Sequence, residues 1–308
     1  MTIQQLEYIL AVDKFRHFGK AAEYCMVTQP TLSAMIQKLE EELDVKIFDR
    51  STQPIQPTAV GRKVLEQAHT VMAQALKVKE IVKEEEQSLK GVFRMAVLPT
   101  IAPYLLPRFF PKFMEDYPEM DIRVSEMKTQ DVLVALATGK VDAAIIATAV
   151  DGKSLQVDTL FYEQFLGYVS RKESVFKNEV IRSTDISGER LWLLDEGHCF
   201  RDQLMRFCQL EAVKLHQAAY HLGSMETFMR IVEGGKGITF IPELAFYQLS
   251  DQQKELVRPF AIPRPTREIS IVTKTDFVRY SVLNVLKESI RSSVPKEMLT
   301  LQNTQRIV

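Results

Sequence analysis

The chain has 308 residues with 46% hydrophobic and 26% charged side chains, proportions that indicate a globular protein of two or three domains. No apolar run approaches the roughly 20 residues of a membrane span, and the N-terminus lacks the pattern of a signal peptide. We therefore expect a cytoplasmic protein without a membrane partner, whose three cysteines stay reduced at rest. The net charge of −1 gives no indication of a nucleic-acid partner.

Residues 1–57 have the pattern of three helices followed by a wing. The third helix is predicted to begin after Thr28, a residue suited to the N-cap, with Pro30 in its first turn. Its apolar stripe faces the core, which leaves polar side chains on exposed faces near its N-terminal half: Gln29, Thr31, Ser33, Gln37 and Lys38. Such side chains suit base edges and phosphates in a major groove. Arg50, at the start of the wing, is the expected phosphate contact, and Cys25 is expected in the core.

Residues 58–90 are predicted to form one long helix of roughly 45–50 Å. Apolar residues recur along it at spacings of three or four, as in a coiled coil: Val60, Val64, Ala68, Val71, Ala75, Val78 and Val82. A small domain cannot bury so long a stripe, and no glycine or proline between residues 62 and 90 turns the helix back on itself. We therefore expect a second chain to cover it, so that the protein is a homodimer.

From Gly91 onward, predicted strands and helices alternate in the rhythm of a doubly wound parallel sheet, with a second such set from about residue 163 to residue 266. Residues 269–308 return with one strand and one helix. The pattern predicts a two-lobed α/β domain, with lobe I at about residues 91–162 plus 269–308 and lobe II at about residues 163–268. Thr100 and Thr129 follow predicted strands, where a hydroxyl either caps a helix, the commoner role, or binds a small ligand.

Two cysteines flank a predicted helix in GHCFRDQLMRFC, residues 197–208. If the helix begins at Cys199, Cys208 lies about 13.5 Å further along the axis and on the opposite face. The Cα atoms of a disulfide are only roughly 4.4–6.8 Å apart, so oxidation would have to refold the helix, which makes the segment a candidate switch.

The reactive thiol of this pair is expected to be Cys199. A helix N-terminus favours the thiolate, and His198 and Arg201 add donors or positive charge. Cys208 would then be the resolving thiol. Two alternatives stay open: both cysteines are buried and inert, or they bind a metal, which the spacing and the single adjacent histidine disfavour.

Three stretches resemble the LysR-type transcriptional regulators. They are AAEYCMVTQPTLSAMIQKLEEELDVKIFDR at residues 21–50, SMETFMRIVEGGKGITFIPEL at residues 224–244, and GHCFRDQLMRFC, which is similar to the sensing segment of peroxide-responsive members of that family. The resemblance covers the whole chain. It implies a winged helix-turn-helix domain at residues 1–57, a dimerisation helix at 58–90, and an effector domain like the periplasmic binding proteins at 91–308.

The resemblance also implies a redox site and its partners. Hydrogen peroxide would react with Cys199, and Cys208 would complete a disulfide, in a pocket formed or ordered by five further residues: Thr100, Thr129, His198, Asp202 and Arg267. The implied partners are double-stranded DNA, RNA polymerase, further copies of the chain in a dimer or tetramer, and a glutaredoxin or thioredoxin as reductant. No metal or other cofactor is implied.

Two rival interpretations remain. The first is a LysR-type regulator that binds a small metabolite between its lobes and carries incidental cysteines. The second is an enzyme, a thiol peroxidase, against which the helix-turn-helix and the dimer helix argue.

Overall fold

The structure, a computed structural model, describes residues 1–85, 89–150, 154–186, 191–195, 197–209 and 224–308. The chain divides into two compact units, one of Met1–Gln87 with Ala135–Lys140 and one of Ser88–Val134 with Val141–Val308. Each unit has a buried apolar core of its own.

The first unit is a winged helix-turn-helix followed by a long helix. Its elements are α1 (Ile3–Phe15), α2 (Phe18–Tyr24), α3 (Gln29–Glu42), β1 (Phe48–Asp49), β2 (Gln56–Pro57) and α4 (Ala59–Glu85). Polar side chains cap the first three helices: Thr2 forms a capping box with Gln5, His17 accepts from amides of α2, and Thr28 accepts from the amide of Thr31. The N-cap predicted at Thr28 is therefore confirmed, and β1 and β2 pair antiparallel as the wing.

Helix α4 begins against the core of its own unit and ends exposed. Ala68 is buried in that core and Val71 packs against it, whereas Val78 and Val82 are 67% and 58% exposed. The prediction that a second chain covers the whole apolar stripe of α4 is therefore wrong. Its first half packs on the core of its own unit, where α1 and β2 contact α4. Four large apolar side chains remain exposed in the second half: Leu76, Val78, Ile81 and Val82.

The second unit is built on one mixed sheet. Its strands are β3 (Gly91–Val97), β4 (Met120–Glu126), β5 (Ala143–Ile146), β6 (Leu155–Val169), β7 (Ile238–Pro242), β8 (Val257–Pro259), β9 (Arg264–Lys274) and β10 (Gln305–Ile307). Their order is β4-β3-β5-β9-β6-β7, with β10 beside β9 and β8 beside β6. β3 is parallel to β4 and to β5, as predicted for lobe I. Parallel strands end at the same edge of a sheet. Thr100 follows the end of β3 and Thr129 follows the end of β4, so both lie at that edge.

The sheet is antiparallel around β6 and β9. Within the region predicted to form a second parallel set, the described residues include two parallel bridges, Ile181 with Phe260 and Leu191 with Ile238. β6 and β9, which are 15 and 11 residues long, pair antiparallel with each other, and β6 pairs antiparallel with β7 and β8. Alternating strands and helices can be recognised from periodicity, but periodicity carries no information on the direction in which a connection returns the chain.

The helices of this unit lie between and after the strands. They are α5 (Ala102–Asp116), α6 (Thr129–Ala137), α7 (Cys199–Phe207), α8 (Met225–Gly234), α9 (Glu243–Phe246), α10 (Asp251–Lys254) and α11 (Tyr280–Ser293). The last three residues of α6, 135–137, belong to the first unit. α11 packs against α5. In the part of the chain that the structure describes, no helix combines the length and the apolar character of a membrane span.

Candidate redox site and DNA-binding surface

The helix predicted between the two cysteines is present. α7 begins at Cys199, with His198 as its N-cap, and ends before Cys208, whose amide donates to the Leu204 carbonyl oxygen at 2.9 Å. Both cysteines are free thiols. Because α7 rises about 1.5 Å per residue, its two ends are too far apart for a disulfide while it stays helical. The structure is therefore that of the dithiol form.

The Cys208 thiol lies in an apolar environment at the C-terminal end of α7. It is 7% exposed, and the neighbouring Phe207 ring meets Phe260 edge-on at 5.5 Å. Burial raises the pKa of Cys208 to about 12. The thiol therefore stays protonated at neutral pH and is a poor nucleophile in this position.

Cys199, at the other end of α7, is only partly buried and follows a buried histidine. Burial, and secondly the positive charge of Lys128, lower the pKa of His198, while Asp195 and Asp202 act in the opposite direction. The imidazole is therefore neutral at pH 7, so His198 does not supply the positive charge that was one of its two predicted contributions. Its Nε2 atom has no hydrogen-bond partner among the described residues, which leaves it available to a small polar molecule.

Lys128 supplies positive charge near this end of α7 and was missed by sequence reasoning. Its Cδ and Nζ atoms lie 3.6 and 3.9 Å from the position that a Cβ on Gly197 would occupy. Gly197 has a φ of 86°, a left-handed conformation that favours glycine. Since Lys128 directly precedes Thr129, the start of α6 lies beside the N-terminus of α7. A lysine next to a candidate threonine was the one signal available in the sequence.

Neither candidate threonine caps a helix within the described residues. The Thr129 hydroxyl is buried and has no partner there. Thr100 binds Arg267 instead: Nη1 donates to the threonine hydroxyl and Nη2 to its carbonyl oxygen, both at 3.0 Å. Thr100 therefore anchors Arg267, whereas ligand binding by Thr129 stays a prediction.

Arg267 is a buried cation that links three segments of this region. It is 1% exposed, its Nε atom donates to Glu163 Oε2 at 2.9 Å, and its Nη2 atom lies 2.7 Å from the same oxygen in an ion pair. The guanidinium also lies 5.0 Å from the ring centroid of Phe200, the residue after Cys199. Arg267 thus holds Thr100 and the base of α7 together. Glu163 was not predicted, because no local pattern marks it as a partner 104 positions away.

Asp202 lies exposed in the first turn of α7, where the helix dipole favours a carboxylate. Its charge acts on His198. The structure therefore brings the predicted pocket residues together in two groups. Thr100 and Arg267 are bonded to each other, while His198, Cys199 and Asp202 share one helix end that Thr129 adjoins through Lys128. Their part in binding peroxide stays a prediction.

The predicted DNA-binding surface is formed by α3 and the wing. Gln29, Thr31, Gln37 and Lys38 are exposed, whereas Ser33 is half-buried. Gln37 donates to Glu41 at 2.9 Å, an exposed bond that a DNA base can replace.

Arg50 joins the wing to α3. Its guanidinium donates to Glu40 at 3.2 Å and to Ser33 at 3.3 Å, and it lies 5.0 Å from the Phe18 ring centroid. Glu40 is buried and also accepts from the amide of Ile47 at 2.7 Å. Arg50 therefore bonds the wing to α3 and also presents an exposed positive charge, and its contact with a DNA phosphate stays a prediction.

Two family models match the chain. The bacterial regulatory helix-turn-helix of the lysR family matches residues 3–62, and the LysR substrate binding domain matches residues 86–294. The chain belongs to the LysR family. It is a DNA-binding transcriptional regulator and not an enzyme.

This LysR-family chain is similar to curated regulators over nearly its whole length. It is 33% identical to the DNA-binding transcriptional dual regulator OxyR of Escherichia coli K12 over 292 residues, 95% of each chain. It is also 33% identical to the hydrogen peroxide-inducible genes activator of Dickeya chrysanthemi over 298 residues, 97% of each chain.

Solved structures of the same family resemble the chain as well. A full-length OxyR variant from Pseudomonas aeruginosa is 34% identical, covers 94% of this chain and 98% of its own, and superposes with a TM-score of 0.77. OxyR from Porphyromonas gingivalis is 53% identical over 71% of this chain and 99% of its own, with a TM-score of 0.66.

Proposed function

We propose that this LysR-family regulator responds to hydrogen peroxide, with Cys199 as the peroxide-reactive thiol and Cys208 as the resolving thiol. The observation that carries the proposal is the contrast between the two ends of α7. Cys199 begins α7 directly after His198, and Lys128 lies near the same helix end. The His198 Nε2 atom and the hydroxyl of Thr129, the residue after Lys128, have no hydrogen-bond partner among the described residues. Cys208, in contrast, is buried and stays protonated at neutral pH.

In the first step, the Cys199 thiolate attacks one oxygen of hydrogen peroxide. The S–O bond forms as the O–O bond breaks, and hydroxide leaves and takes up a proton, so that cysteine sulfenic acid and water result. The Thr129 hydroxyl and the neutral ring of His198 bind the peroxide oxygens. Arg267 keeps Thr100 in place beside them, and Asp202 orders the first turn of α7.

In the second step, Cys208 attacks the sulfenic sulfur, the S–O bond breaks, and water leaves as the disulfide forms. The two sulfurs cannot meet while α7 is helical, so the helix unwinds before or during this step. Unwinding also removes Cys208 from the apolar environment that keeps it protonated. The same movement therefore brings the two sulfurs together and makes the Cys208 thiol more reactive.

The refolding of α7 in the second unit then changes how the protein acts on DNA. In this proposal the chain works as a homodimer or homotetramer on double-stranded DNA, with base and phosphate contacts from six residues: Gln29, Thr31, Ser33, Gln37, Lys38 and Arg50. The disulfide form activates transcription through RNA polymerase. A glutaredoxin or thioredoxin restores the thiols, which suits a cytoplasmic protein.

Mass spectrometry after one equivalent of hydrogen peroxide tests the division of labour. Wild type should give a Cys199–Cys208 disulfide, Cys208→Ser should stop at a sulfenic acid on Cys199, and Cys199→Ser should not react. Cys25→Ser is the matched control and should behave as wild type, because burial raises the pKa of Cys25.

Hydrogen exchange adds a structural readout to the same samples. Residues 200–207 should lose amide protection on oxidation of wild type and keep more of it in Cys208→Ser. First oxidation at Cys208, or a disulfide formed with α7 still protected, would contradict the proposal. A small metabolite that raises the melting temperature equally in the double cysteine variant would favour the metabolite-responsive alternative.

A further inference from the structure

Gln203 connects the redox helix to the C-terminal strand. It lies four residues after Cys199 on α7, hence on the same helix face, and is 4% exposed. Its Nε2 atom donates to the Ala147 carbonyl oxygen at 2.8 Å and to the main-chain oxygen of Val308 at 3.0 Å. A single side-chain amide therefore holds α7 against the end of β5 and against the residue after β10.

β10 reaches the redox site by a second route as well. It pairs in parallel with the first residues of β9, and the Val308 amide donates to the Thr266 carbonyl oxygen at 3.1 Å. The next residue of β9 is Arg267, whose guanidinium lies against the Phe200 ring of α7. Val308, the residue after β10, thus contacts α7 through Gln203, and β10 pairs with the strand that carries Arg267.

We propose that Gln203 and β10 form a latch that holds α7 helical and so sets the rate and equilibrium of disulfide formation, without affecting the attack on peroxide. The inference rests on the proposed chemistry of Cys199 and Cys208. Gln203 lies between the two cysteines, so a movement that joins them takes its amide away from at least one buried carbonyl. Formation of the sulfenic acid needs no movement of α7, so the latch acts only on the second step.

Two substitutions open the latch from opposite sides. Gln203→Met keeps the side-chain volume but removes both donations, and Val308→Pro removes the amide that donates to Thr266. Each should speed the conversion of sulfenic acid to disulfide by about tenfold, the factor expected for the loss of one or two hydrogen bonds. Arg206→Met places the same new side chain on the exposed face of α7 and should change nothing.

The measurement follows both steps in the full-length protein. After one equivalent of hydrogen peroxide, samples are quenched in time with a reagent that traps sulfenic acids, and the disulfide and the trapped species are quantified by mass spectrometry. Loss of the Cys199 thiol should proceed at the wild-type rate in both latch variants. The disulfide should be about tenfold more favoured when equilibrated against a dithiol. The double variant should gain less than the product of the single effects, because Val308→Pro loosens the same residue whose oxygen Gln203 binds, so the two bonds are coupled.

The outcomes separate the latch from the thiol chemistry itself. If wild type forms no sulfenic acid at Cys199, the proposed function fails, and the latch with it. If sulfenic acid forms normally but both latch variants close the disulfide at the wild-type rate, the latch alone is overturned. A slower first oxidation in Gln203→Met would likewise overturn it, since Gln203 would then belong to the peroxide pocket. Should Gln203→Met fail to fold, Val308→Pro decides the question.

Discussion

Arg267→Met removes a buried cation of the second unit, and the contacts of Arg267 determine how much stability is lost. Arg267 donates to Glu163 and to both oxygens of Thr100. Its loss leaves a buried carboxylate without a counter-charge, which costs about 3–5 kcal/mol. Each kcal/mol lowers the melting temperature of a unit of this size by about 2–4 °C, so we expect a fall of about 6–20 °C. The single tryptophan, Trp192, lies in this unit, so its fluorescence follows the unfolding in the full chain.

An exposed ion pair of the same unit provides the control. Arg171→Met breaks a 2.6 Å contact with Glu255 in which both side chains are largely exposed, and it should cost less than about 1 kcal/mol. Adding Glu163→Gln to Arg267→Met removes the uncompensated charge and should recover part of the lost stability. The reasoning is refuted if Arg267→Met melts within about 2 °C of wild type, a shift of no more than about 1 kcal/mol.

Further predictions concern DNA binding, assembly and pH. Gln37→Ala should weaken specific binding by about 1–3 kcal/mol in a footprinting titration, whereas Arg50→Ala should weaken all sequences and flatten the salt dependence. Val78→Glu should dissociate the dimer in sedimentation with its helix-turn-helix intact, whereas Val71→Glu should also lower the melting temperature of the first unit, because Val71 packs on that core. Burial raises the pKa of Cys208 from 9.0 to about 12, so its stabilisation of helical α7 is complete below pH 9 and is lost towards pH 12. The protection of α7 amides, taken relative to base-catalysed exchange of the unfolded chain at the same pH, should fall over that window more in wild type than in Cys208→Ala.

Features set by neighbouring residues in the chain could be predicted from the sequence. Thr28 is an N-cap because its own hydroxyl meets an amide three residues later, and α7 forms because the residues between its cysteines are good helix formers. The incompatibility of that helix with a disulfide follows from the helical rise alone. The sequence motifs at residues 21–50, 197–208 and 224–244 were also sufficient to indicate the family.

Features set by contacts between distant segments required the tertiary structure. Arg267 bonds to Thr100 across 167 positions, and Lys128 approaches Gly197, a residue far from it in the chain. The first half of α4 is buried because α1 packs on it, and the directions of β6 and β9 are set by their pairing. Neither contact produces a periodic pattern in the sequence. The contrast between the two cysteines is of the same kind. A thiol's reactivity follows from the charges and apolar groups packed around it, and these come from other parts of the chain.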